Sequence, residues 1–298
     1  MEKIDAAAVQ ERGEIIIMEN SLRLYVQKIT KLPTIPFIAQ EILNMVNNDL
    51  TSINKLENII EKDPAISAKI LSVANSAFFG YQTSSGTIAN AIMRIGVSNV
   101  KNIAIGISLM TVFTDKKPVE TVGARYQRIF KHSLAVGMVA RQLSRELKLN
   151  ISDEIFMNGI LHDLGFMVLN NYFPEKFSKV LSKFEKTTNF LEAEKKVLGF
   201  THADIGTWLA DKWNLPKDII DTSLYHHTPS LAKSNREHVA LTHIADYITT
   251  KNVFYITEAD PNYPLDVSTF DVLGISENYF KEIEATINKE MLSDEIFN

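Results

Sequence analysis

Apolar residues recur at helical spacing along most of the chain, and no stretch alternates in the strict period of two that a half-buried strand needs. From Phe37 the series Ile38, Ile42, Leu43, Met45 and Val46 marks a first helix, entered through an extended segment set by Pro33 and Pro36. Thr51 reads as the N-cap of a second helix through Leu56, Ile59 and Ile60. Asp63-Pro64 is a third start, because an Asp cap satisfies free amides and Pro is preorganised for the first helical position. That helix carries Ile66, Ile70, Leu71 and Val73 and stops at Asn75-Ser76. The Gly and Ser stretch from Gly80 to Gly86 is a turn, after which Ile88, Ala91, Ile92 and Ile95 resume the pattern up to Gly96. Ser98 is expected to cap the next helix, apolar on most sides from Val100 to Phe113 and therefore central. The polar run Asp115 to Pro118 is expected to divide two halves.

The second half repeats this grammar and adds histidines. A long helix from about Val122 to Lys148 holds His132 among Leu134, Val136, Val139 and Leu143. Ser152 is expected to cap one continuous helix from Asp153 to about Asn170, with His162 and Asp163 inside it. Thr201 and Asp204 form a variant capping box that puts His202 in a first turn. Pro216 opens a helix ending near His226-His227, and a last helix from about His238 to Thr250 sets His243 and Asp246 on one face. Beyond Tyr255 the chain reads as loop through Asp260-Pro261 and Tyr263-Pro264, and Ser276 caps a final amphipathic stretch to about Met291.

Composition narrows the setting. With 298 residues, 45% of them hydrophobic, the chain can bury one large core or two modest ones. A net charge of −5 gives no basic excess for phosphates, so nucleic-acid binding is excluded as a principal role. The absence of cysteine removes disulfides, thiolate metal sites and a cysteine nucleophile, and suits a reducing cytoplasm. No apolar run approaches the roughly 20 residues of a membrane span, and the acidic start with Glu2, Asp5 and Glu11 is unlike a secretory leader. Lys116-Lys117 and Lys195-Lys196 read as solvated surface, Trp208 and Trp213 as packing groups, and Gly80 to Gly86 lacks the context of a phosphate cradle.

Five of the seven histidines, with two aspartates, carry the chemistry: His132, His162-Asp163, His202, His226-His227 and Asp246. Neutral imidazoles with carboxylates suit iron, manganese or zinc. Singly, His132 reads as a hydrogen-bonded core residue, and His226-His227 could offset a helix dipole for about 0.3–1 kcal/mol. As a set they read as a metal site. His243 and His238 are left out of the set; His243, facing the same way as Asp246, reads by default as structural, with a supporting role behind that ligand as the alternative.

Leu32-Pro33-Thr34-Ile35-Pro36, Asp63-Pro64-Ala65-Ile66, Asn75-Ser76-Ala77-Phe78-Phe79-Gly80 and Ala91-Ile92-Met93-Arg94-Ile95-Gly96 resemble the N-terminal bundle of bacterial HDOD signalling proteins. Gly159-Ile160-Leu161-His162-Asp163-Leu164-Gly165 and the residues around Asp246 resemble the wider HD superfamily. The likeness runs from about Leu22 to Thr250. It implies an all-α fold in which a bundle at 22–118 packs against an HD-like subdomain at 119–255, flanked by an extension at 1–21 and a C-terminal loop and helix at 256–298. It also implies that His132, His162, Asp163, His202, His226, His227 and Asp246 match, in order, the dinuclear ligand set of the related HD-GYP phosphodiesterases, in which Asp163 would bridge the metals, and that the site holds one or two divalent ions.

Three departures weigh against hydrolysis. Phe166 stands where a Lys commonly follows the His-Asp pair, Thr228-Pro229-Ser230-Leu231 replaces a Gly-Tyr-Pro segment, and Arg128 stands where some members place a third-metal Glu. The resemblance therefore implies a cytoplasmic signalling module that binds a signalling protein or a phosphate or nucleotide ligand, with a metal-dependent phosphohydrolase as the alternative. Ile15, Ile16, Ile17, Leu22 and Leu24 are read as a docking helix for the core or for a second copy in a homodimer.

Overall fold

The computed structural model describes residues 21–29, 33–45, 51–76, 79, 84–113, 120–151, 154–187, 189–252 and 263–287. Among these, every regular element is helical. The first five are α1 Phe37–Leu43, α2 Thr51–Ile60, α3 Pro64–Ala74, α4 Ile88–Ile95 and α5 Val97–Thr111. Then come α6 Glu120–Glu146, α7 Ile155–Leu161, α8 Leu164–Tyr172, α9 Pro174–Thr187 and α10 Phe190–Leu198. The last five are α11 His202–Lys212, α12 Lys217–Tyr225, α13 Arg236–Asn252, α14 Ser268–Leu273 and α15 Glu277–Thr286, with a 3-10 turn Pro229–Leu231 after α12. The all-α class expected from the pattern is what the chain forms.

Local chemistry accounts for the boundaries. The Asp63 carboxylate accepts from the amides of Ala65 and Ile66, with Pro64 opening α3. Thr87 caps α4, which Gly96 ends at φ 88. Thr201 and Asp204 complete their capping box at α11, and Ser276 accepts from the Tyr279 amide at α15. Lys148, at φ 54, stops the chain from continuing α6.

Several expectations change. Ser98 lies inside α5, which starts at Val97 directly after the turn made by Gly96. The helix expected from Asp153 to Asn170 is two helices, α7 and α8, parted at His162-Asp163. The loop after Tyr263 contains α14. Helices α9 and α10, unmarked by the pattern, fill the interval between Tyr172 and Gly199. The extension at 1–20, Ser152, the Asp115 to Pro118 divide, Asp260-Pro261, the end at Met291 and most of the Gly80 to Gly86 turn lie outside the described residues, as does the side chain of Thr51.

One apolar cluster runs from Ile38 to Ile219 and unites both halves of the sequence. Within it Trp213 packs near Phe113, 6.3 Å between rings, and its indole donates to the Pro33 carbonyl at 2.9 Å. A second cluster joins Val136, Val139 and Leu143 of α6 to Leu241, Ile244 and Ile248 of α13, and to Phe270, Phe280 and Ile283 of α14 and α15. Among the described residues no helix is long and apolar enough to cross a membrane.

The two glycines flanking His162-Asp163 set the backbones around it. A Cβ on Gly159 would lie 2.5 Å from the Cα of Gly137, so α6 and α7 touch backbone to backbone. A Cβ on Gly165 would lie 1.9 Å from the His202 carbonyl oxygen, so α8 is seated against the start of α11. Neither contact leaves room for a methyl group. Gly159→Ala is expected to lower the unfolding free energy by about 3 kcal/mol or more through overpacking, read from the urea midpoint. A midpoint equal to that of the wild type would refute the backbone contact.

Candidate metal centre

Three helices and two corners converge on one buried point. His132 projects from the middle of α6, His162 and Asp163 occupy the corner between α7 and α8, and His202 is the first residue of α11. His226 and His227 follow the end of α12, and Asp246 lies on α13. All seven residues singled out from chain order come together here. His227 is half-buried, and the other six are 0–1% exposed.

Asp163 is the hub. Its Oδ2 lies 3.2 Å from His162 Nε2 and 3.6 Å from His132 Nε2, and its Oδ1 lies 3.3 Å from His202 Nε2 and 3.5 Å from His226 Nε2. One carboxylate thus faces two separate imidazole pairs. Asp163 stands at the N-cap of α8, yet its side chain makes no cap bond to the helix. An Asp cap is ordinarily worth about 1 kcal/mol, and here that contribution is given up to turn both oxygens inward. Among the described residues no well-formed hydrogen bond reaches either oxygen, although both are buried. Asp246 Oδ1 lies 3.1 Å from His132 Nε2 and accepts from Thr250 Oγ1 at 3.0 Å. Three overlapping groups of donor atoms, each within 4.8 Å of one another, result: Asp163 with His202, His226 and His227; His132 with His162 and Asp163; His162 with His226 and Asp246.

Outward hydrogen bonds decide where the imidazole protons sit. His162 Nδ1 donates to the Gly159 carbonyl at 2.7 Å, and His226 Nδ1 to the carbonyls of Ser223 and Thr222 at 3.0 and 3.2 Å. His202 Nδ1 donates to Glu194 Oε2 at 2.8 Å. The Tyr263 hydroxyl donates to Asp246 Oδ2, so at 2.8 Å it accepts from His227 Nδ1. The Nδ1 protons being committed outward, the Nε2 atoms face the centre, and those of His202 and His226 are only 3.3 Å apart. Lone pairs so close need a proton or a metal ion between them. A carboxylate or carbonyl holding the far nitrogen is the usual support of a metal-binding histidine. The donor set therefore fits a divalent ion of the imidazole-preferring kind.

The electrostatics agree. Burial works against charge on Asp163, yet His162, His202 and His226 hold its carboxyl well below the usual range. Asp246 is likewise lowered despite burial, by His132 and His162. Burial also opposes charge on His202, but Glu194 and Asp163 outweigh it and push the pKa up to about 10. Burial lowers His226, and burial with neighbouring His226 and His202 lowers His227 strongly. Without metal, that raised pKa favours a second proton on His202, whose Nε2 lies 2.9 Å from His227 Nε2 and 3.3 Å from both His226 Nε2 and Asp163 Oδ1. A cation would take the place of that proton.

Phe166, standing where the resemblance leads one to expect Lys, stacks on His202 with ring centroids 3.8 Å apart. An apolar ring thus closes that side. Residues not singled out from the sequence complete the site. Glu194 is fully buried on α10 beneath His202, but Glu192, Lys195 and Lys196 around it made the stretch read as solvated surface. Tyr263 was hidden in a segment without periodicity. His243 has the structural role expected of it: Nδ1 donates to the His226 carbonyl at 2.6 Å, and Nε2 accepts from the Asp266 amide at 2.8 Å.

The sequence pattern of the HDOD domain matches residues 32–229. An uncharacterised protein of Treponema pallidum (strain Nichols) is 26% identical over 205 residues, which cover 67% of this chain and 38% of that protein. The chain thus spans well under half the length of that relative. An HDOD domain protein of unknown function from Geobacter sulfurreducens superimposes with a TM-score of 0.81 at 22% identity, over 95% of this chain and 99% of that one. A proposed signal-transduction protein from Marinobacter aquaeolei VT8 gives 0.72 at 19%, over 96% and 64%. A proposed metal-dependent phosphohydrolase from Shewanella amazonensis SB2B gives 0.60 at 18%, over 95% and 95%. Identities this low establish a shared fold.

Glu194→Ala leaves His202 without its buried counter-charge. The metal-free protein is expected to lose about 3–5 kcal/mol in chemical unfolding, whereas Glu192→Ala, on the exposed face of the same helix, leaves the midpoint in place. Equal midpoints for the two variants would remove Glu194 from the site.

Proposed function

This chain belongs to the HDOD domain family, and from that premise we propose that it is a signalling output module whose His/Asp centre binds one or two divalent ions, iron, manganese or zinc, as part of its architecture. His132, His162, Asp163, His202, His226, His227 and Asp246 are the proposed ligands, and Asp163 is the proposed bridge. The reading rests on closure. Six of the seven side chains are 0–1% exposed and Phe166 covers His202, whereas a catalytic metal needs an open position for water and substrate. An ion there would supply fixed positive charge for two interior carboxylates. The module's surface, rather than its interior, would then carry the signal to a partner protein. Residues 22–118 are proposed as the family's N-terminal bundle and 119–255 as the HD-like unit.

One observation favours a second reading. The two oxygens of Asp163 divide between two imidazole pairs, as a dinuclear phosphohydrolase requires, and in that case the metals would lower the pKa of a water and neutralise phosphate charge. The chain's own residues supply no cation at Phe166 to hold that phosphate.

Elemental analysis of untagged protein tests the first reading. Near-stoichiometric metal is expected in the wild type and background metal in a His162→Ala, Asp163→Ala double variant. Restoring metal to chelated wild type at about 100 times its Kd should add ~2.7 kcal/mol to stability, with no turnover of bis(p-nitrophenyl) phosphate. Metal-dependent turnover abolished in the double variant would establish the hydrolase instead. Unchanged metal content in that variant would overturn the ligand set.

A further inference from the structure

Tyr263 lies beyond the residues that match the family and ahead of the C-terminal helices, yet its hydroxyl reaches the centre of the site. It accepts from His227 Nδ1 at 2.8 Å and donates to Asp246 Oδ2, and the side chain is 7% exposed. Both contacts fall on proposed ligands from different elements, one after α12 and one on α13. The first commits the His227 proton outward and leaves Nε2 for the interior. The second takes up Oδ2 and leaves Oδ1, which Thr250 also orients, as the oxygen facing His132 and His162.

The same segment is fixed at a second point. Three residues on, the Asp266 amide donates to His243 Nε2, and His243 Nδ1 donates to the His226 carbonyl. Asp266 then starts α14, its carboxylate accepting from the Ser268 amide at 3.0 Å and its carbonyl from Thr269 Oγ1 at 2.7 Å. Phe270 of α14 and Phe280 and Ile283 of α15 bury themselves in the cluster shared by α6 and α13, the helices that carry His132 and Asp246. A continuous set of contacts therefore runs from the C-terminal helices to the two ligand-bearing elements.

We infer that Tyr263 is a positioning residue of the metal centre, and that through it metal occupancy and docking of the 263–287 segment stabilise each other. The inference rests on the metal reading given above. Coupling of this kind is reciprocal: whatever the docked segment adds to metal affinity, metal returns to docking. Groups that orient metal ligands from behind typically contribute about 10–100-fold in affinity.

The test uses the full chain and cobalt(II) as probe, followed by its visible absorption and by competition with a chelator. Tyr263→Phe keeps the ring and removes only the hydroxyl. It is expected to weaken cobalt binding about 10–100-fold and to alter the visible spectrum, with the far-ultraviolet circular dichroism of the wild type retained. Tyr279→Phe removes a hydroxyl from an exposed ring on α15 and is expected to bind as the wild type does. Hydrogen exchange of the wild type gives a second arm that needs no variant: cobalt should slow exchange in residues 268–287, and in Tyr263→Phe that protection should shrink. Wild-type affinity and spectrum in Tyr263→Phe, or exchange at 268–287 indifferent to cobalt, would overturn the inference while leaving the metal reading intact. Absence of cobalt binding to the wild type would overturn both.

Discussion

Asp163 and Asp246 keep their carboxylates in a region from which water is nearly excluded, and the surrounding architecture answers that demand. An isolated anion there would cost many kcal/mol, so the chain surrounds the pair with five imidazoles and supports those with Glu194, Tyr263 and main-chain carbonyls. Attraction inside a low-dielectric interior repays desolvation only when geometry is close and every remaining proton and lone pair is used. The outward hydrogen bonds of the four histidines meet that condition on one side. On the inner faces, where Nε2 atoms approach one another to about 3 Å, a proton or a metal ion would complete it.

That demand reaches into the backbone. His162 and Asp163 can face inward because the helix breaks at them, Asp163 taking φ −99 and ψ 23. The break can sit at the centre because Gly159 and Gly165 let α7 and α8 press on α6 and α11. Within the Gly159 to Gly165 motif the polar pair supplies the chemistry and the glycines supply the distance. The Asn75 side chain likewise joins distant backbone in the first half, bonding both the amide and the carbonyl of Ser85.

The legible part of this molecule was whatever local rules express. Caps at Asp63, Thr201 and Ser276 are two- or three-residue statements, and the structure forms each of them. The seven site residues were legible as an ordered set because histidine is scarce and an His-Asp pair between glycines is distinctive. What stayed hidden depends on tertiary context. Glu194 is flanked by charges that do face solvent, and only the docking of α10 under His202 separates it from them. Helical periodicity continues straight through His162-Asp163, so nothing local marks the break. Tyr263 sits where no periodicity exists and acquires meaning only through two partners from other elements.

The depth of the site also sets a clock. His132 and Asp246 belong to α6 and α13, which are packed along one another, and only His227 of the seven residues retains appreciable contact with solvent. An ion held there would leave no faster than those helices part, a local opening governed by the core rather than by the ion's own chemistry. Its residence would then outlast brief changes in metal supply. Such a centre would hold a record of the conditions under which the chain folded, rather than a running measure of the surrounding concentration.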